Sequence, residues 1–182
     1  MPSHAPPATP SAAPSGAASE AGSEDAQFAA FQARAEAANL NPQTLLATDY
    51  LNHFNEIVML IEMVGDMPDI LEECREWAPK DYCAHFADSA FKDKELAIAA
   101  YAHVPARFKE PFEETISHLD HLVEQSIARL DEAIAAGDPE IIQVRAHAAS
   151  RAIQRVMDVA SSIIHGAERA MRQDEIDNLL QI

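Results

Sequence analysis

Residues 106–166 read ARFKEPFEETISHLDHLVEQSIARLDEAIAAGDPEIIQVRAHAASRAIQRVMDVASSIIHG, and this stretch decides the fold. Phe108, Phe112, Ile116, Leu119, Val123, Ile127, Leu130 and Ile134 recur at three- and four-residue steps, the spacing of one face of an α-helix. Pro111 lies inside this stretch, so a helix is expected over 106–136 that either starts or kinks at the proline. Gly137-Asp138-Pro139 then supplies a stop, a cap and a proline start for the next helix. That helix is expected to reach about His165, with Ile142, Ala149, Ile153, Val156, Ala160 and Ile163 as its buried stripe. Two long helices joined by so short a loop must lie antiparallel.

Upstream of the hairpin the punctuation is also helical. From Ser23 onward Gly65, Gly137 and Gly166 are the only glycines, and alternating strand-like runs are missing. Asn41-Pro42 predicts a capped start for a long helix through Tyr50, Leu51, Phe54, Ile57, Val58 and Ile61 to about Val64. Pro68, Pro79 and Pro105 cut the next stretch into shorter helices near 68–77, 80–88 and 93–103. Their aromatics (Trp77, Tyr82, Phe86, Phe91 and Tyr101) are expected to pack over the longer helices. Residues 25–39 are Ala-rich and weakly amphipathic, anchored by Phe28 and Phe31. The expected fold class is all-α: a helical bundle built on a long antiparallel hairpin, with shorter helices packed on it. Residues 23–166 form the bundle domain in this reading, and residues 167–182 a separate amphipathic segment. Residues 1–22, almost wholly Ala, Pro, Ser and Gly, are read as a disordered tail, because they cannot bury enough apolar surface to offset their ordering entropy.

Charge narrows the partners. Among 182 residues, 30 Asp and Glu oppose 13 Lys and Arg, a formal net charge of -17. A polyanion meets a like-charge field, so nucleic acid and an anionic membrane surface are both excluded as expected partners. Hydrophobic residues make up 48% of the chain, enough for a real core. The most apolar run, Ile57 to Ile61, is cut short by Glu62, and no stretch approaches the ~20 apolar residues a spanning helix needs. Cys74 and Cys83 are too few and too oddly spaced for a zinc site or a disulfide framework. They read as reduced thiols of a cytoplasmic protein, and a homo-oligomer remains compatible with the composition.

Several polar groups bear on chemistry. Glu114, His118, His121 and Gln125 share one stripe of the long helix, but the di-metal carboxylate motif needs Glu-x-x-His on two helices. The polar turn at 49–56, which contains His53 and Glu56, has the reverse order, so neither a metal nor another cofactor is expected. Asp49 and Asn52 form an acid-x-x-amide pair that can orient water toward an acyl phosphate. Glu36/Asn39 and Glu175/Asn178 repeat that spacing, and the acid-x-x-x-Gln pattern of the chemotaxis phosphatase occurs at Asp177/Gln181. His147 shares a polar face with Arg151, Gln154 and Asp158, and residues 146–150 resemble the exposed-histidine helix of histidine phosphotransfer domains. That family places a lysine three positions after the histidine; here the residue is Ser150, so the phosphoryl group loses an electrostatic partner. No residue is assigned a catalytic role.

The C-terminal segment is the sharpest feature. Gln173, Asp174, Glu175, Ile176, Asp177, Asn178, Leu179 and Leu180 put three aliphatics on one side of a short helix, with acids before and beside them. This peptide resembles the response-regulator-docking motif of the flagellar motor switch protein, Ser-Gln-x-Glu-Ile-Asp-Ala-Leu-Leu. Gln173, Glu175, Ile176, Asp177, Leu179 and Leu180 match it position by position, whereas Arg172 replaces the serine and Asn178 the alanine. The segment follows the hairpin, which is the layout of the chemotaxis phosphatase; in the switch protein the peptide is N-terminal. The resemblance covers about eight of 182 residues and implies a contact with a phosphorylated receiver domain. Ile176, Leu179 and Leu180 would enter an apolar groove while Asp174, Glu175 and Asp177 meet a basic rim. The competing reading packs the same aliphatics on the bundle as its last turn. The expected function is that of a cytoplasmic adaptor or regulator in bacterial chemotaxis or two-component signalling. The alternatives are a receiver phosphatase using Asp49 and Asn52, a phosphotransfer bundle using His147, and a structural oligomeric helical protein.

Overall fold

The computed structural model describes residues 17–168, and among these the regular structure is entirely helical. The described residues form seven α-helices: α1 (Ala17–Ala35), α2 (Asn52–Val64), α3 (Leu71–Glu76), α4 (Tyr82–Asp88), α5 (Lys94–Tyr101), α6 (Ala106–Ala136) and α7 (Pro139–Ile164). Short 3-10 turns at Glu36–Ala38, Thr48–Leu51 and Pro68–Ile70 lead out of α1 and into α2 and α3.

The hairpin of α6 and α7 is the backbone of the bundle. Gly137 ends α6 at φ 75, a left-handed geometry that costs a side-chain-bearing residue free energy. Asp138 then caps α7, its Oδ1 accepting from the backbone N–H of Glu140 (3.0 Å) and Ile141 (3.3 Å). Pro111 neither starts nor breaks α6: the helix begins five residues earlier, at Ala106. At the proline, the Thr115 hydroxyl donates back to the Pro111 carbonyl (2.7 Å). The α6 stripe is buried at Phe108, Phe112, Ile116, Leu119, Val123 and Leu130, while Ile127 and Ile134 sit at its edge.

Helix α2 runs antiparallel along α7, with Glu62 beside His147 (3.9 Å) at one end and Asn52 beside Asp158 and Ser161 at the other. Gly65 backs onto Gln143; a Cβ there would lie 3.5 Å from the Gln143 Cα. Helices α3, α4 and α5 cover the aromatic centre, where Tyr50, Phe54, Phe86, Phe108 and Phe112 are fully buried. Each such side chain contributes about 1.5–3 kcal/mol by leaving water. Trp77 stacks on His53 (5.0 Å), Phe86 meets Phe91 edge-on, and Tyr82 stacks on Tyr101 (4.5 Å), so the expected aromatic cover is present. No helix among the described residues is long and apolar enough to cross a membrane.

Two boundaries differ from expectation. Helix α1 begins at Ala17, inside the stretch 1–22 assigned to the tail; Ala-rich residues propagate a helix already nucleated downstream. Residues 1–16 lie outside the described residues.

The second difference is at Asn41-Pro42, which starts no helix. Asn41 Oδ1 does accept from the backbone N–H of Gln43 (2.8 Å) and Thr44 (3.1 Å), the bonds an N-cap makes. Leu45 then turns left-handed (φ 62), and Asn41 donates its own N–H to the Leu46 carbonyl (2.8 Å). Thr44, Leu45, Leu46 and Ala47 are all fully buried. A helix rotates successive residues by about 100° and cannot bury four in a row at a two-sided surface, so the segment takes an irregular path. The helix starts instead at the 3-10 turn Thr48–Leu51.

Candidate functional site

The docking motif from Gln173 to Leu180, including Asp174, Glu175, Ile176, Asp177 and Leu179, lies outside the described residues, as does Asp177/Gln181. The structure does describe what precedes it. Helix α7 stops at Ile164, and Gly166 takes φ 104. The Ala167 N–H bonds the Ser162 carbonyl (2.9 Å) and the Gly166 N–H bonds the Ile163 carbonyl (2.9 Å). This is a left-handed helix termination that satisfies the last carbonyls. The Gln43 amide packs into the space beside Gly166, where an added Cβ would lie 2.6 Å from its oxygen.

The polar turn at 49–56 divides between two surfaces. Asp49, Asn52 and Asn55 line a depression of about 410 Å³ together with Asp158 and Ser161 of α7. Asn52 Oδ1 accepts from Asn55 Nδ2 (3.1 Å), which leaves the Asn52 amide nitrogen directed elsewhere. An acid and an amide thus share a concave surface, with a second acid, Asp158, across from them. The depression has no cationic lining residue, so a phosphoryl group there would need its charge met from the partner's side.

His53 and Glu56 turn the other way, into a groove shared with Leu60, Glu73 and Trp77. The His53 Nε2 is buried without a hydrogen-bond partner. Burial holds its pKa below the ordinary histidine value, with the nearby charges of His85 and Lys80 acting in the same direction. His53 is therefore a neutral aromatic packing group at pH 7.

His147 is exposed, and its Nδ1 lies 3.9 Å from the Glu62 carboxylate, an anion. Ser150, at the position where phosphotransfer domains carry lysine, is buried in the hairpin. Any residue placed there would face the core and not a phosphoryl group. Of the α6 stripe, His121 Nε2 pairs with Gln125 Nε2 (2.6 Å), while the His118 Nδ1 is buried without a partner. No group of three His, Cys, Asp or Glu among the described residues is arranged to hold a metal ion. Burial pushes the Cys74 thiol up to about 11, so this cysteine is not a thiolate at neutral pH.

Sequence reasoning missed a cleft of about 390 Å³ between the 3-10 turn at Thr48–Leu51, the loop at 79–81, and helices α4, α5 and α6. Pro79, Phe112 and Ile116 form its apolar surface, with Tyr50, Tyr82 and Tyr101 around it. The Tyr50 hydroxyl donates to the Lys80 carbonyl (2.7 Å), and Tyr101 donates to Glu113 Oε1 (2.8 Å). Burial, reinforced by Asp120 and Asp81, raises the Tyr50 pKa, so it stays a neutral phenol. Asp120 lines the same cleft with Oδ1 buried and without a hydrogen-bond partner. Burial, then the Glu124 charge, raises its carboxyl to about 7. A signal was present: Phe112, Ile116 and Asp120 are spaced at i, i+4 and i+8, so this acid shares a helix face with two core residues.

Comparison of the chain with protein-family models, with curated proteins and with solved structures finds no match. Function therefore rests on the chemistry of these surfaces and of the C-terminal motif.

Proposed function

We propose that this chain is a cytoplasmic adaptor or regulator of bacterial chemotaxis or two-component signalling, which docks a phosphorylated receiver domain through Gln173, Asp174, Glu175, Ile176, Asp177, Leu179 and Leu180. One observation carries this reading. Helix α7 ends at Ile164, nine positions before Gln173, and Gly166 then takes a left-handed conformation. Val156, Ala160 and Ile163 of α7 are fully buried. Three aliphatics at helical spacing suit helix-in-groove recognition, and the three acids beside them favour a basic rim.

The test titrates the full-length protein with a panel of receiver domains, each with and without a phosphoryl mimic. Saturable binding that requires the mimic is expected, weakened at least about tenfold when Ile176, Leu179 and Leu180 are all changed to alanine. Binding by no receiver, or binding indifferent to both the mimic and the triple substitution, would overturn the proposal.

A receiver phosphatase is the second reading, favoured by the shared depression of Asp49, Asn52 and Asp158. It predicts that the protein accelerates loss of receiver phosphate and that Asn52→Ala abolishes the acceleration while leaving docking unchanged. At His147, Glu62 lies beside the imidazole and Ser150, at the lysine position of phosphotransfer domains, is in the core, which disfavours phosphotransfer.

A further inference from the structure

The cleft at Asp120 shares no lining residue with the Asp49 depression. We propose that it binds a small organic ammonium ion, a primary amine on a compact apolar body, with the ammonium against the Asp120 carboxylate and the body against Phe112, Ile116 and Pro79.

Size and lining set the class of ligand. At about 390 Å³ the cleft falls within the range of small-molecule sites and far below that of a folded partner. Its surface combines an apolar wall with a few convergent polar groups, the usual division between affinity and orientation.

Charge sets the sign. Three carboxylates (Asp81, Glu113 and Asp120) line the cleft against one ammonium, that of Lys80. Most of these groups are already engaged. Lys80 Nζ is paired with Asp88 (3.0 Å), Asp81 Oδ1 caps α4 through the Ala84 N–H (2.8 Å), and Glu113 accepts the Tyr101 hydroxyl. Asp120 Oδ1 alone among these groups is buried and without a hydrogen-bond partner. A half-buried carboxylate with one oxygen bare carries uncompensated charge, which a cation in the cleft beside it offsets. An anion would face a net negative lining, and a neutral guest would desolvate Asp120 further without compensating its charge. A cation does both favourable things at once. The phenol rings add their negative faces to the field around the cleft.

A bare metal ion fits less well, because the lining carboxylates do not converge as a group of three ligands. An ammonium needs only one carboxylate and a hydroxyl or two, which Asp120 and the exposed Ser117 hydroxyl one turn away can provide.

The test titrates the full-length protein with 2-phenylethylammonium, with neutral 2-phenylethanol and with phenylacetate, read by calorimetry and by amide chemical shifts. Saturable binding of the ammonium at millimolar or lower concentration is expected, at least about tenfold tighter than the alcohol, with no binding of the acid. Asp120→Asn should lower the ammonium affinity about tenfold or more and leave the alcohol unaffected. Ser117→Phe, at an exposed position of α6, fills the cleft while keeping every charge, and should abolish binding without depending on the Asp120 variant. Val144→Ala, exposed on α7 outside the cleft, should bind as the unaltered protein does. Equal binding of all three probes, no saturable binding of the ammonium at millimolar concentration, or ammonium affinity that survives Ser117→Phe would overturn the proposal.

Discussion

The Thr44 hydroxyl donates a 2.7 Å hydrogen bond to the carbonyl of Ile164, 120 positions away, and so ties the loop before α2 to the final turn of α7. Thr44 is fully buried, and its oxygen also accepts from the Leu46 N–H (3.3 Å). Thr44→Val keeps the shape but leaves a buried carbonyl and a buried N–H without this partner. The expected loss is about 1–3 kcal/mol of unfolding free energy, read from urea denaturation. Thr44→Ser, which keeps the hydroxyl, should recover most of it. Equal stability of Thr44→Val and the unaltered protein would remove this tie from the account of how α7 ends.

Gly166 makes the companion prediction. Its φ of 104 strains any residue with a Cβ, and that Cβ would meet the Gln43 side chain at 2.6 Å. Gly137, at φ 75, has nothing within 4 Å of the same added atom. Gly137→Ala should therefore cost about 1 kcal/mol, from backbone strain alone, and Gly166→Ala about 1–2 kcal/mol. Thermal unfolding of the two variants should rank them in that order. The Gln43→Ala background should narrow the gap, because it removes the steric component and leaves the strain.

Most of the fold was legible because its signals are local. The α6 stripe from Phe108 to Ile134 and the string Gly137-Asp138-Pro139 each act within one or two turns, and the helices start and stop where those residues dictate. Asn41 shows the limit. Its side chain makes N-cap bonds, but burial of the next residues by α7 decides the path, and that is a long-range effect. The candidate sites divide in the same way. Spacing placed Asp49 and Asn52 on one surface, yet it could not say that Asp158 and Ser161 would face them from another helix. Asp120 was passed over because a stripe drawn through Leu119 accounts for the helix equally well, and only the packing of Tyr50 against α6 makes the neighbouring acid matter.

His53 and His85 give the acid side of the stability profile. Both pKa values are lowered, by burial first in each case, with Lys80 opposing the charged form of both. The unfolded chain therefore takes up protons more readily than the folded one. Their stabilising contribution is complete above the ordinary histidine value, about 6.5, and is lost as pH falls through the lower folded values. Unfolding free energy should drop between about pH 7 and pH 5. His53→Phe, which keeps the ring against Trp77 (5.0 Å in the native protein) without a titrating group, should flatten that slope. An unchanged slope would assign the acid sensitivity to other groups.

Asp120 acts with the opposite sign. Its carboxyl is raised from 3.8 to about 7 by burial and by Glu124, so the folded protein holds this proton where the unfolded chain has released it. The contribution to stability is complete below the ordinary carboxyl value and is lost as pH rises through about 7. An asparagine side chain at this position mimics the protonated form. Asp120→Asn should therefore match the unaltered protein near about pH 4 and exceed it near about pH 8. Since the carboxyl is only partly buried and solvent screens it, the gain at the higher pH is about 1 kcal/mol, well below what the full shift would imply. Urea denaturation of both proteins at the two pH values measures it. A constant offset across pH would show that the substitution changes packing and not protonation, and a loss of stability at the higher pH would mean that the native carboxylate is already compensated inside the cleft.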